Sequence, residues 1–118
     1  SWSKKLCSFE RKFFQLLNKF KINFTLNGKN RLLGIINITF HDISSQDLVI
    51  GLDIRGYAIS GGSACSSGGT GPSKILREIG MSSENALKTV RISFGKNLVE
   101  KNIIGLAESI KEIINDFK

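Results

Sequence analysis

The two ends of the chain place apolar side chains at the spacing of an α-helix. Residues three and four apart share one helix face, so each pattern predicts an amphipathic helix with one buried stripe. We expect the first helix over residues 4–20 and the last helix after a cap formed by Asn97 with Glu100. The stripes are Leu6, Phe9, Phe13, Leu16, Leu17 and Phe20 in the first helix, and Ile103, Leu106, Ala107, Ile110, Ile113, Ile114 and Phe117 in the last.

Shorter segments between these helices alternate apolar and polar residues, which is the pattern of a half-buried strand. The alternating runs are Ile36, Asn37, Ile38, Thr39 and Phe40, and Val90, Arg91, Ile92, Ser93 and Phe94. Two further strands are predicted at residues 57–60 and at residues 22–26, the latter ending at the turn-forming pair Asn27 and Gly28.

Capping signals predict two more helices. Ser44, followed three residues later by Asp47, is typical of a helix N-terminus, and that helix should stop before Gly56. Pro72 and Gly80 bound a second helix in the same way. Residues 61–71 hold five of the twelve glycines, so no regular structure is expected there. The elements together predict one α+β domain over residues 1–118, a short sheet packed with helices.

Composition narrows the class of protein. With 41% hydrophobic and 23% charged residues the chain is typical of a globular domain. No apolar run approaches the roughly 20 residues of a membrane span, and the first residues do not form a secretory signal. Two cysteines and one histidine cannot form a Cys/His zinc site, so no metal site is expected. The same cysteine count indicates a reducing, cytoplasmic compartment, and a chain that begins with Ser indicates a fragment.

The formal charge of +7 is concentrated at the start of the chain. Eight basic side chains stand against Glu10 within residues 1–31, whereas basic and acidic side chains balance over residues 32–118. The basic positions are Lys4, Lys5, Arg11, Lys12, Lys19, Lys21, Lys29 and Arg31. Phenylalanines interleave with these cations as on a base-stacking surface. Because the phenylalanines fall on the buried stripe, we favour a solvated lysine face and expect no nucleic-acid partner.

The glycine-rich loop holds the residue that is most suited to chemistry. Cys65 lies five residues beyond the predicted strand at 57–60, among small polar residues that cannot bury a thiol. A thiol that reaches solvent can act as a nucleophile in its thiolate form. Glycines on both sides would let Cys65 move about 15–18 Å, which suits a group carrier.

Three other interpretations of this loop compete with a group carrier. A phosphate-binding loop requires the pattern G-x-x-x-x-G-K-[ST], which fails because Lys74 follows Ser73. A Cys–His nucleophile would need His41, the single histidine, and no spacing ties His41 to Cys65. The residues alone also leave open a flexible loop in which Cys65 has no role.

The motifs resemble one known family across nearly the whole chain. They are similar to the C-terminal domain of the cysteine desulfurases, pyridoxal-phosphate enzymes of the class V aminotransferase family, and to their long-loop subgroup. The matching positions are Gly62, Ser63, Ala64, Cys65, Ser66 and Ser67, then Pro72, Ser73, Leu76, Arg77 and Gly80, then Arg91, Ile92, Ser93, Phe94 and Gly95. Upstream matches are Asn27, Gly28, Arg31, Leu32, Asn37, Ile38, Thr39 and Phe40.

The resemblance implies a role for individual residues. Cys65 would attack the sulfur of substrate L-cysteine, held as its pyridoxal adduct, and keep a persulfide while alanine is released. Arg91 would bind the substrate carboxylate, because a planar guanidinium is the best bidentate partner for that group. Without the family, a surface salt bridge is the alternative for Arg91. The active-site loop would comprise Gly62, Ser63, Ala64, Ser66 and Ser67 around the cysteine.

The resemblance also implies what surrounds this domain. The chain would be the small C-terminal domain of a fold-type I pyridoxal-phosphate transferase, with the cofactor-binding large domain absent. We therefore expect no cofactor on this fragment and no activity from it alone. Sulfur would pass to an iron–sulfur scaffold or a sulfur-relay protein, and the full-length enzyme would be a homodimer.

Other functions for Cys65 remain open from the sequence. A stand-alone thiol or persulfide carrier, or an interaction module, would use Cys65 without catalysis of its own. An inactive copy would leave Cys65 unmodified, and selenocysteine or cysteine sulfinate is the alternative substrate within the family. Cys7, beside Leu6 in the first helix, is expected to pack in the core.

Overall fold

A computed structural model describes residues 2–28, 34–61, 83–95 and 97–118. Within these ranges four helices and four strands follow one another along the chain. In order they are α1 (Trp2–Lys19), β1 (Phe24–Asn27), β2 (Ile35–Phe40), α2 (Ser45–Ile54), β3 (Ser60–Gly61), α3 (Ser83–Ala86), β4 (Thr89–Ser93) and α4 (Glu100–Asp116). This is the predicted α+β class, in which a short sheet packs with helices.

The four strands form one antiparallel sheet in the order β1-β2-β4-β3. Phe24 stands opposite Phe40, Ile36 opposite Ile92, and Ser60 opposite Arg91. Successive side chains of a strand point to opposite faces, so this register separates an apolar face from a polar face.

The apolar face of the sheet forms the floor of the core. Ile36, Ile38 and Phe40 of β2 and Val90 of β4 are fully buried. Helices α1 and α2 both pack against α4. Phe13 of α1 is also fully buried, and its ring meets the ring of Phe94 edge-on at 6.0 Å between centroids.

The polar face contains a chain of hydrogen bonds. Asn27 Nδ2 donates to Thr39 Oγ1 at 2.8 Å, and the hydroxyls of Thr39 and Thr89 lie 2.7 Å apart. Thr89 Oγ1 donates to the carbonyl of Asn85 at 2.7 Å. Thr39 and Thr89 are each 1% exposed, and the chain of bonds explains how both can be buried. The alternation in β2 places Thr39 on the polar face, and these bonds satisfy its hydroxyl there.

Helix α2 begins and ends where its capping residues predict. Ser44 is the N-cap, and its hydroxyl accepts the backbone N–H of Asp47 at 3.1 Å. The helix ends at Ile54, and Gly56 takes a φ of +91° that a residue with a Cβ rarely adopts. After this turn Tyr57 packs on α4 at Gly105, where a Cβ would meet the Tyr57 hydroxyl.

Three predictions about the later strands and the last helix were wrong in detail. The strand expected at residues 57–60 is reduced to Ser60–Gly61, because Tyr57 instead packs against α4. The last helix begins after Val99, whose N–H donates to the Asn102 side chain at 3.0 Å, and a cap by Asn97 with Glu100 is not formed. Phe117 follows the end of α4 and is 57% exposed, whereas the other residues of its stripe are buried.

Helix α1 matches its predicted stripe, with one correction. Leu6, Phe9 and Phe13 are buried, while Phe20 is half-buried beneath Lys111 Nζ, which lies 4.8 Å from its ring centroid. Cys7 is exposed and forms no disulfide, so its predicted core packing was wrong. The reason is its position one residue away from the apolar stripe.

The loop was predicted over residues 61–71, but its first residue, Gly61, belongs to β3 because it pairs with Val90. Residues 62–71 and the helix expected between Pro72 and Gly80 lie outside the described residues. Within the described ranges, no helix has both the length and the apolar character to cross a membrane. Those ranges also hold no group of three or more histidine, cysteine, aspartate or glutamate side chains that could bind a metal ion.

Candidate functional site

The site is built around the two strands at one edge of the sheet. Cys65 and the predicted loop residues Gly62, Ser63, Ala64, Ser66 and Ser67 lie outside the described residues. The structure does describe the two residues that immediately precede them, Ser60 and Gly61. These form β3, which pairs with β4 so that Ser60 stands opposite Arg91. The chain therefore enters the predicted loop directly beside the predicted substrate arginine.

Arg91 lies on the polar face of the sheet and is exposed. Its strand neighbours Val90 and Ile92 point into the core and are buried. Because successive side chains of a strand point to opposite faces, the Arg91 side chain points away from the core. Arg91 forms no ion pair with any acidic side chain among the described residues. The alternative of a surface salt bridge thus has no support in the described part of the chain.

A row of polar residues crosses the sheet at the level of Arg91. The strand register places Asn27 opposite Asn37, Asn37 opposite Arg91, and Arg91 opposite Ser60. Directly opposed residues project from the same face, so Asn27, Asn37 and Arg91 form a row of side chains across β1, β2 and β4. Asn37 is one of the positions that match the family motifs, but its motif alone assigns it no role. Its alternation with Ile36 and Ile38 could have placed it on this face, but only the register of the strands shows which residue it faces.

Beneath the β3–β4 edge lies a small apolar cavity of about 150 Å³. Tyr57, Ile59, Ile92 and Phe94 contribute to its walls, together with Leu106 from α4. None of its described lining residues is lysine, arginine, aspartate or glutamate. Its described walls suit apolar groups at the base of the edge.

Pyridoxal phosphate requires a lysine, an acidic partner for the ring nitrogen and a phosphate site. The described lining of the apolar cavity offers none of these. A second cavity, beside α1, has Lys4 and Arg11 but no acidic residue among its described lining residues, and a third, between α2 and α4, has Asp47 and Asp116 but no described lysine. The described residues do not fit this cofactor.

The two other chemically active side chains lie away from this row. His41 bonds through Nε2 to the Thr25 hydroxyl at 2.7 Å. Cys7 lies on the exposed side of α1 with Lys4, Ser8 and Arg11. Neither residue is opposite Arg91 in the sheet register, and the described contacts assign neither to the site.

Helices pack on one side of a small antiparallel sheet, and the other side is a polar face with an exposed arginine. This arrangement is an α+β domain with a surface suited to an anionic group. The chain belongs to the aminotransferase class V family, which residues 4–106 match. This match includes the positions of both Cys65 and Arg91.

Curated relatives of the chain are named cysteine desulfurases. A probable mitochondrial cysteine desulfurase of Schizosaccharomyces pombe is 37% identical over 93 residues, which are 77% of this chain and 18% of that protein. Cysteine desulfurase IscS of Shewanella pealeana is 33% identical over 79% of this chain and 23% of that protein. A putative cysteine desulfurase, IscS 1 of Bacillus subtilis, is 30% identical over 95% of this chain and 30% of that protein. The chain thus spans less than a third of the length of these relatives.

Solved structures share the fold. A NifS-like protein from Rickettsia africae superposes with a TM-score of 0.78 at 23% identity, over 96% of this chain and 29% of that protein. SspA, solved in complex with cysteine, superposes with a TM-score of 0.50 at 30% identity, over 75% of this chain and 25% of that protein. The predicted family and fold class are confirmed by these comparisons.

Proposed function

We propose that this chain is the small C-terminal domain of a cysteine desulfurase, and that it supplies the sulfur-accepting Cys65 and the carboxylate-binding Arg91. The observation that carries the proposal is the position of Arg91. It is exposed on the polar face of the sheet, directly opposite the strand residue that leads into the cysteine loop. Membership of the aminotransferase class V family and the names of the relatives support the same function.

The proposed reaction moves one sulfur atom. The Cys65 thiolate forms a bond to the sulfur of L-cysteine, the carbon–sulfur bond of the substrate breaks, and the carbon takes a proton. The products are L-alanine and a persulfide on Cys65, so atoms and electrons balance without an added oxidant or reductant. Arg91 holds the substrate by its carboxylate, which leaves the thiol end of the substrate free to meet Cys65.

Pyridoxal phosphate would supply the electron sink for breaking the carbon–sulfur bond. Because the described residues do not fit this cofactor, we assign it to the remainder of the enzyme, and the 118 residues alone should not turn over. Two further parts of the proposal rest on the resemblance of the sequence motifs to the cysteine desulfurases. The persulfide passes to an iron–sulfur scaffold or sulfur-relay protein, and the full-length enzyme is a homodimer.

The test is the formation of L-alanine from L-cysteine by the protein expressed from its complete reading frame. Cys65→Ser should abolish turnover, because the thiolate has no substitute. Cys7→Ser is the matched control, since Cys7 is exposed on α1 and has no assigned role, and it should leave the rate unchanged. Sulfur on Cys65 that appears only when a separate desulfurase is added would replace the proposal by the carrier function. Full activity of Cys65→Ser would refute both.

A further inference from the structure

Asn37 faces Arg91 across the centre of the sheet. The two residues are directly opposed in the antiparallel register of β2 and β4. Such a pair has Cβ atoms about 4.5–5.5 Å apart and projects from one face. The Asn37 amide and the Arg91 guanidinium therefore reach into the same space above the polar face.

The side chains beside this pair are already hydrogen-bonded. Asn27, the next residue along the row, donates Nδ2 to Thr39 at 2.8 Å, and Thr39 in turn bonds Thr89. Within the described ranges, neither the Asn37 amide nor the Arg91 guanidinium has a hydrogen-bond partner in the protein. Asn37 is half-buried, so its amide has less access to water than an exposed side chain would have. The face thus presents two adjacent sets of donors that a bound group can satisfy together.

A carboxylate matches these donors. It has two oxygens with about four lone-pair sites, of which a bidentate guanidinium occupies two. The Asn37 amide offers two N–H donors without a negative charge, so it can bond a remaining lone pair. An aspartate at the same position would repel the ligand and compete for the guanidinium.

We propose that Asn37 is a substrate-binding residue: its side-chain amide donates a hydrogen bond to the substrate carboxylate that Arg91 holds. This inference rests on the proposed function, because it takes the α-carboxylate of L-cysteine as the ligand. It adds a second, uncharged contact that fixes the orientation of the carboxylate on the arginine fork. Correct orientation of the amino acid places its thiol toward the side of the sheet from which the Cys65 loop leaves β3.

The kinetic test compares Asn37→Ala, Asn37→Asp and Asn27→Ala in the protein expressed from its complete reading frame. Asn37→Ala should raise KM for L-cysteine about tenfold, because one hydrogen bond to a charged group is lost, with kcat within about twofold of the parent. Asn37→Asp should raise KM further. Asn27→Ala is the matched control on the same row, and it should lower stability while leaving KM unchanged. An unchanged KM in Asn37→Ala would overturn the proposal.

A binding test separates this proposal from the proposed function. The ¹⁵N side-chain signals of Asn37 and Arg91 are followed as L-alanine is added, with ethylamine as the probe that lacks a carboxylate. Both signals should move with L-alanine and neither with ethylamine. If both signals move with L-alanine in a protein that forms no alanine from L-cysteine, the proposed desulfurase function is refuted and the carboxylate site is supported. If the Arg91 signal moves and the Asn37 signal does not, the role of Asn37 is refuted.

Discussion

Replacing Thr39 by valine removes the central member of the buried hydrogen-bond chain while keeping the shape of the side chain. Thr39 is 1% exposed and bonds to Asn27 at 2.8 Å and to Thr89 at 2.7 Å. Valine fills the same space and is well accepted in strands, so neither a cavity nor a strand preference should dominate the result. The measured loss in the free energy of unfolding then reports the hydrogen bonds.

The magnitude follows from counting bonds. A typical intramolecular hydrogen bond contributes about 1 kcal/mol, so Thr39→Val, which loses two, should cost about 2 kcal/mol. Thr89→Val loses at least the shared bond and the bond to the Asn85 carbonyl, and should cost at least about 2 kcal/mol. The double variant loses the shared bond once. Its cost should therefore be about 1 kcal/mol below the sum of the two single variants, which is the coupling energy.

Urea unfolding of the four proteins in this cycle, monitored by circular dichroism, measures these values. Thr25→Val is the control, because Thr25 is exposed and water can replace its bond to His41, so its effect should stay within about 0.5 kcal/mol. Strict additivity of the two single variants would contradict the reasoning. So would a Thr39→Val protein as stable as the parent.

Two local features of α2 give further expectations, both measured by urea unfolding. Ser44→Ala removes the acceptor for the Asp47 N–H and should cost about 1 kcal/mol; a loss below about 0.3 kcal/mol would mean that the cap does not hold the helix end. Gly56→Ala forces a Cβ onto a residue with φ of +91° and should cost about 1 kcal/mol although no atom lies within 4 Å. Gly95→Ala, also in open space but without a positive φ, is its control and should be nearly neutral.

The sequence alone predicted the parts of the fold that local periodicity controls. The stripe of α1, the alternation in β4 and the cap at Ser44 each follow from neighbouring residues, and each was confirmed. The errors arose where a distant contact decides. Tyr57 leaves the strand pattern because it packs on α4 at Gly105, far along the chain.

For the site as well, the sequence predicted some features and not others. Arg91 could be identified from its motif and placed on the polar side of its strand from the alternation. The pairing of Arg91 with Asn37 could not be predicted, because strand register depends on contacts between residues far apart in sequence. The placement of Cys65 stays a prediction, since it lies outside the described residues.

The most direct test of the central claim is peptide mass mapping of the two cysteines after L-cysteine is added to the protein expressed from its complete reading frame. Cys7 is exposed and serves as an internal control for unspecific reaction of thiols with sulfur. The account predicts one added sulfur on Cys65 and none on Cys7, with the signal lost in Arg91→Ala, because the substrate is no longer held. Equal sulfur on both cysteines, or none on Cys65 in an alanine-forming protein, would contradict it.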